Sequence, residues 1–121
     1  MSALSGVASV EGLLQCWMQE SARALIVYAS GEVDLSTAPE LKRHILGALK
    51  QQTPLILDFS RLTYLDGSGI RVLEECTPTK GTLQMILPRQ IRRLFHLLGL
   101  EDRFLITDAN GHDTAPRGQD N

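Results

Sequence analysis

The chain has 121 residues, 43% of them hydrophobic and 21% charged, with a formal net charge of −2. That is the length of one domain able to bury its own core, and the near-neutral charge excludes a global pull toward nucleic acid or an anionic membrane. The apolar runs are too short to cross a bilayer, the start lacks a signal-peptide pattern, and Cys16 and Cys76 have no metal-ligand spacing, so reduced thiols and a cytoplasmic location are expected.

Residues 1–10 are small and weakly patterned and are expected to form a flexible N-terminus. Residues 13–18 and 24–29 read as two strands of a hairpin, joined through Glu20, Ser21, Ala22 and Arg23; Ile26, Val27 and Tyr28 suit a half-buried pleated surface. After Gly31-Glu32-Val33-Asp34 the period changes. Thr37-Ala38-Pro39-Glu40 matches a capping box, and Leu41, Ile45, Ala48 and Leu49 then form one helical stripe that Thr53-Pro54 ends.

Residues 55–59 form a short apolar run of the kind found in a strand covered on both faces. A loop over 60–65 leads to Asp66-Gly67-Ser68-Gly69, and Ile70, Val72, Leu73 and Cys76 suggest a helix that Pro78 stops. Residues 82–87 read as another strand. Pro88 opens a helix carrying Ile91, Leu94, Phe95 and Leu98, with Gly99 at a left-handed C-cap and Leu100 packing back. Residues 104–106 are a last short strand or helix turn. Residues 108–121 read as a disordered tail, leaving one domain over 11–107. The alternation predicts an α/β domain with a mixed sheet of about four to five strands and helices packed on it.

Asp66-Gly67-Ser68-Gly69 lies where a buried strand ends and a helix begins. Its exposed N–H groups and the positive helix end favour an anion. Asp66 or Ser68 serves equally well as a simple helix cap, so local physics leaves both readings open.

Three segments in order add specificity. Gly31-Glu32-Val33-Asp34 with Thr37-Ala38-Pro39-Glu40-Leu41, then Leu57-Asp58-Phe59-Ser60 through Tyr64-Leu65-Asp66-Gly67-Ser68-Gly69-Ile70, then Ile91-Arg92-Arg93-Leu94-Phe95 through Gly99-Leu100, resemble the signature regions of STAS domains. The resemblance spans about residues 13–106 and implies a single STAS-like domain of the anti-sigma factor antagonist type. Such proteins bind an anti-sigma factor that is also a serine kinase of the histidine-kinase-like ATPase superfamily, and binding frees the sigma factor. The kinase phosphorylates the turn, and a PP2C-type phosphatase reverses it. The resemblance implies partner binding through Glu32, Asp34, Asp66, Gly67, Ser68, Gly69 and Ile70.

The sequence departs from the family at the phosphoacceptor. The usual acceptor is the first hydroxyl residue after the motif's Asp; here that position is Gly67, which cannot take phosphate. Ser68 matches the second hydroxyl position. Either Ser68 is the acceptor, or the turn is not switched by phosphorylation; the neutral glycine, which resembles the unphosphorylated form, points to the second. The stretch from Ser68 to Thr82 is also shorter than usual. The alternative role within the family is an accessory subunit packing against an ABC transporter ATPase.

Other chemistry is weakly signalled. His44, read as a surface residue, His96 and His112 are too scattered to form a metal site. Ser68 lacks both an adjacent base and the G-x-S-x-G pattern, so no catalytic residue is assigned. The turn also lacks the longer Gly-rich loop and Lys of a nucleotide cradle, so no cofactor is expected. Arg89, Arg92, Arg93 and His96 make a basic helix face, read as solvated with docking to an acidic partner as the alternative, and without the interleaved aromatics of a nucleic-acid surface. Trp17, Tyr28 and Tyr64 read as structural, with Tyr64 packing beneath the turn.

Overall fold

A computed structural model describes residues 9–11, 13–51, 53–77 and 83–108. Strands β1 (Ser9–Glu11), β2 (Leu14–Glu20) and β3 (Leu25–Val33) pair antiparallel. They are followed by α1 (Ala38–Leu49), β4 (Leu55–Leu65), α2 (Gly67–Cys76), β5 (Gln84–Leu87), α3 (Arg89–Leu97), a 3-10 turn (Glu101–Arg103) and β6 (Leu105–Asp108). The strands lie side by side in chain order, and β3, β4, β5 and β6 run parallel. This is the mixed α/β sheet the alternation indicated. It has six strands among the described residues because the short β1 adds an edge that three residues of sequence do not signal. The rest of the 1–10 segment, residues 109–121 and the stop at Pro78 lie outside the described residues.

One sheet face is lined by Cys16, Val27, Ala29, Leu57, Phe59 and Met85, which share a core with Leu41, Ile45, Leu73, Ile91 and Phe95 of the helices. Period-2 alternation in the strands and a helical stripe in each helix produce this single core. Cys16 and Cys76 are both free and buried in it. Burial pushes the Cys16 thiol up to about 12, so it packs as an apolar group and not as a nucleophile. On the other face Trp17 and Tyr28 stack across the β2–β3 pair, with ring centroids 5.2 Å apart.

The expected loop over 60–65 is instead the second half of β4. The strand continues because Leu62 and Leu65 still point into the core, and two register shifts against β3 absorb the irregular spacing between them. Thr63 Oγ1 also donates to the Gly31 carbonyl at 3.1 Å. At each shift the alternation breaks, which is why the sequence resembles a loop.

In α1 the buried stripe is Ala38, Leu41, His44, Ile45 and Ala48. His44 is therefore not a surface residue: it is 7% exposed, with Nδ1 3.1 Å from the Glu40 carbonyl oxygen and 3.3 Å from its carboxylate. Its position three after Leu41 puts it on the inner face, whereas Leu49 sits at the margin. The end of α3 matches expectation closely. Gly99 adopts φ 70°, its N–H donates to His96 at 3.1 Å, and the Leu100 N–H donates to Phe95 at 2.9 Å, while Leu100 is buried. That pair of bonds is a Schellman closure.

Gly31 is required where it stands. Its φ is 108°, and a Cβ there would lie 1.9 Å from the Leu13 carbonyl oxygen. Gly31→Ala is expected to destabilise the domain by about 1–3 kcal/mol or more, from left-handed strain plus the backbone clash; urea unfolding checks this.

Candidate functional site

Each helix follows a parallel strand, so α1, α2 and α3 all begin at the carboxyl end of the sheet. This is the edge where open α/β sheets gather their binding loops. The last register pair of β3 and β4 is Val33 with Leu65, and the Asp66 N–H donates to the Val33 carbonyl at 3.2 Å. Asp34 and Asp66 are the next residues on the two strands. They therefore stand side by side at about the spacing of neighbouring strands, ~4.8 Å.

Asp66 is the N-cap of α2. Its Oδ1 accepts from the Ser68 N–H at 2.9 Å, from the Gly69 N–H at 3.3 Å and from the Ser68 hydroxyl. Two orphan helix N–H groups are thereby satisfied, a contribution of about 1 kcal/mol.

Asp34 repeats the arrangement ahead of α1. Its Oδ1 accepts from the Ser36 N–H at 2.9 Å, the Ser36 hydroxyl at 2.8 Å and the Thr37 N–H at 3.1 Å. These bonds, led by the Ser36 hydroxyl, hold its carboxyl below the usual carboxylate range. The expected capping box is not formed. Thr37 is 1% exposed and its hydroxyl turns back, donating to the Glu32 carbonyl at 3.0 Å and accepting from the Asp34 N–H at 2.9 Å. Glu40 meanwhile pairs with Arg43 and His44. The Asp34 side chain thus takes over the turn that the Thr37-to-Glu40 spacing suggested.

The structure brings most of the sequence-indicated residues together here. Glu32 lies in register with Tyr64, two residues before the Asp on each strand, and its carboxylate has no side-chain partner among the described residues. Gly67 is exposed and Ser68 half-buried. Gly69 and Ile70 turn inward, Ile70 being 9% exposed. Tyr64 does not tuck beneath the turn: Leu65 takes the inner position and leaves the Tyr64 ring 49% exposed. Leu35, which the sequence reading passed over, is 81% exposed on the Asp34 turn. A large apolar residue between Asp34 and Ser36 in a polar turn was the available signal. At the far side of α3, Arg92 and His96 both contact Glu101, at 3.2 and 2.8 Å, while Arg89 and Arg93 are exposed. Among the described residues no group of three His, Cys, Asp or Glu side chains is placed to hold a metal ion.

A family model of the STAS domain matches residues 16–114. The chain belongs to the STAS domain family. Its fold is similar to that of an anti-sigma factor antagonist from Mycobacterium paratuberculosis, with a TM-score of 0.70 and 26% identity over 77% of this chain and 84% of that one. It is also similar to the anti-sigma factor antagonist SpoIIAA in its unphosphorylated form, with a TM-score of 0.56 and 20% identity over 78% and 90% of the two chains. No curated protein matches by sequence. No helix among the described residues is long and apolar enough to cross a membrane.

In this STAS domain the two glycines of the α2 turn have opposite roles. A Cβ on Gly69 would come within 2.5 Å of Leu65 Cδ1 and 2.8 Å of Val33 Cγ1, both buried, so the helix start needs a residue without a side chain there. A Cβ on Gly67 would meet nothing within 4 Å, and the backbone at Gly67 is not left-handed. Packing and backbone therefore permit any residue at 67, and glycine costs helix stability there. Gly67→Ala is expected to leave stability unchanged or raise it by about 0.5–1 kcal/mol. Gly69→Ala is expected to lower it by about 1–3 kcal/mol. Thermal and urea melts of the two variants check the contrast.

Proposed function

We propose that this STAS domain is an anti-sigma factor antagonist that releases a sigma factor by binding an anti-sigma factor of the serine-kinase type. The observation that carries the reading is the paired turn: Asp34 and Asp66 at adjacent strand ends, with Leu35 and Tyr64 exposed around them and Glu32 alongside. The similarity to the Mycobacterium paratuberculosis antagonist supports it. The surface combines fixed carboxylates with large apolar groups. Each Asp spends Oδ1 on its own turn, which holds the loop rigid before binding and lowers the ordering cost of association. A partner with complementary basic and apolar groups fits this surface.

Glycine at 67 bears on control. The position carries no hydroxyl although the space beyond it is open, so the glycine is not imposed by the fold. Ser68 is half-buried, with its hydroxyl donating to Asp66, so it is the less accessible hydroxyl of the turn. We read the α2 turn as permanently in its binding form. A PP2C-type phosphatase has no substrate at residue 67.

The test is a new charge at that open position. Gly67→Asp is expected to weaken binding to the anti-sigma factor kinase by about tenfold or more, through like-charge crowding against Asp34 and Asp66, with the melting temperature within a few degrees of wild type. Calorimetric titration reads the affinity. Unchanged affinity in a folded Gly67→Asp protein would remove the turn from the interface.

A further inference from the structure

The two Asp turns are the same device built twice. In each, Oδ1 of the Asp accepts from the N–H two residues on, from the N–H three residues on, and from a serine hydroxyl two residues on. The turns stand on register-paired strands, so Ser36 occupies in the first turn the place that Ser68 occupies in the second. They differ in access. Ser36 is exposed whereas Ser68 is half-buried, and the neighbouring Leu35 stands out in solvent.

Ser30 is half-buried within β3. Thr37 is buried, and Thr63 sits within β4 and donates to the Gly31 carbonyl. Ser60 is half-buried, with its hydroxyl bound to Asp58 at 2.6 Å. Ser21 is exposed but lies in the β2–β3 turn at the opposite end of the sheet. Among the described residues, Ser36 is the exposed serine at the end that carries the paired turns.

From this juxtaposition we propose that Ser36 is a phosphoacceptor, so that control of the interface lies on the Asp34 turn and not on the α2 turn. The proposal rests on the interface reading above. The donor is the nucleoside triphosphate of the bound kinase. The Ser36 Oγ–P bond forms, the γ-phosphoryl bond to the nucleoside diphosphate breaks, and the hydroxyl proton passes toward Asp34 Oδ1, which already accepts it at 2.8 Å, and on to solvent. The product carries about −1.5 to −2 charges. They fall beside Asp34, Glu32 and Asp66, and the modified oxygen no longer donates to Asp34. Repulsion and loss of that bond open the turn that presents Leu35, and the complex dissociates.

The experiment incubates the full chain with the anti-sigma factor kinase and Mg-ATP, then reads intact mass, peptide mapping of the phosphate, and the fraction of complex by native mass spectrometry. Phosphate on Ser36 is expected, with affinity of the modified chain reduced about tenfold or more. Ser36→Ala is expected to abolish incorporation and the ATP-dependent loss of complex. Phosphate on Ser68 alone would overturn the proposal, as would a stable complex with Mg-ATP and no phosphate on Ser36; the interface reading survives either. A kinase that does not bind the unmodified chain removes both.

Discussion

The parallel pairing of β3 with β4, closed by the Asp66 N–H donating to Val33, is the contact on which the candidate site depends. It aligns Val33 with Leu65, so each strand delivers an aspartate at the same height and each aspartate then organises the start of a helix. The pairing is itself conditional on two close approaches. Gly31 lets β3 pass the Leu13 carbonyl, and Gly69 lets α2 start against Leu65 and Val33. A side chain at either glycine forces apart the elements that hold the turns together. Gly67 bears no such constraint, which separates the glycine that builds the turn from the one that leaves it without a hydroxyl.

The acidic ends are stable for a reason that also makes them useful. A helix start carries orphan N–H groups and partial positive charge, and a carboxylate placed there is fixed by charge-assisted hydrogen bonds. Asp66 is held in this way, and Asp34 is held by the Ser36 and Thr37 N–H groups of the turn just ahead of α1. Leu35 and Tyr64 stay exposed because the inner positions of the same segments are already filled by Val33 and Leu65. Glu32 adds a third acidic side chain close to the two aspartates at this edge.

Much of this was legible in the sequence because the signals were local. The Gly99–Leu100 closure, the hairpin and the Asp66 turn each depend on residues within a few positions of one another. The misread features depend on tertiary context. Thr37 and Glu40 have capping-box spacing, but Asp34 takes the Thr37 N–H that Glu40 would cap, and the Thr37 hydroxyl folds back on the Glu32 carbonyl. Residues 60–65 lose period-2 alternation because the β3–β4 ladder shifts register there, and only the partner strand reveals that they are still paired. His44 lies on the inner side of α1 because Leu41 sets the phase of that stripe. The equivalence of Ser36 and Ser68 was out of reach for the same reason: it exists only once two distant strands are aligned.

The central claim is that the paired Asp turns form the binding surface, and chemical-shift mapping of the isotopically labelled chain against the anti-sigma factor kinase tests it most directly. The account predicts that the largest amide perturbations cluster at residues 32–37 and 64–68, with β1, the β2–β3 turn and the C-terminal end of α3 unaffected. Perturbations confined to those distant elements, with the Asp34 and Asp66 turns silent, would contradict it.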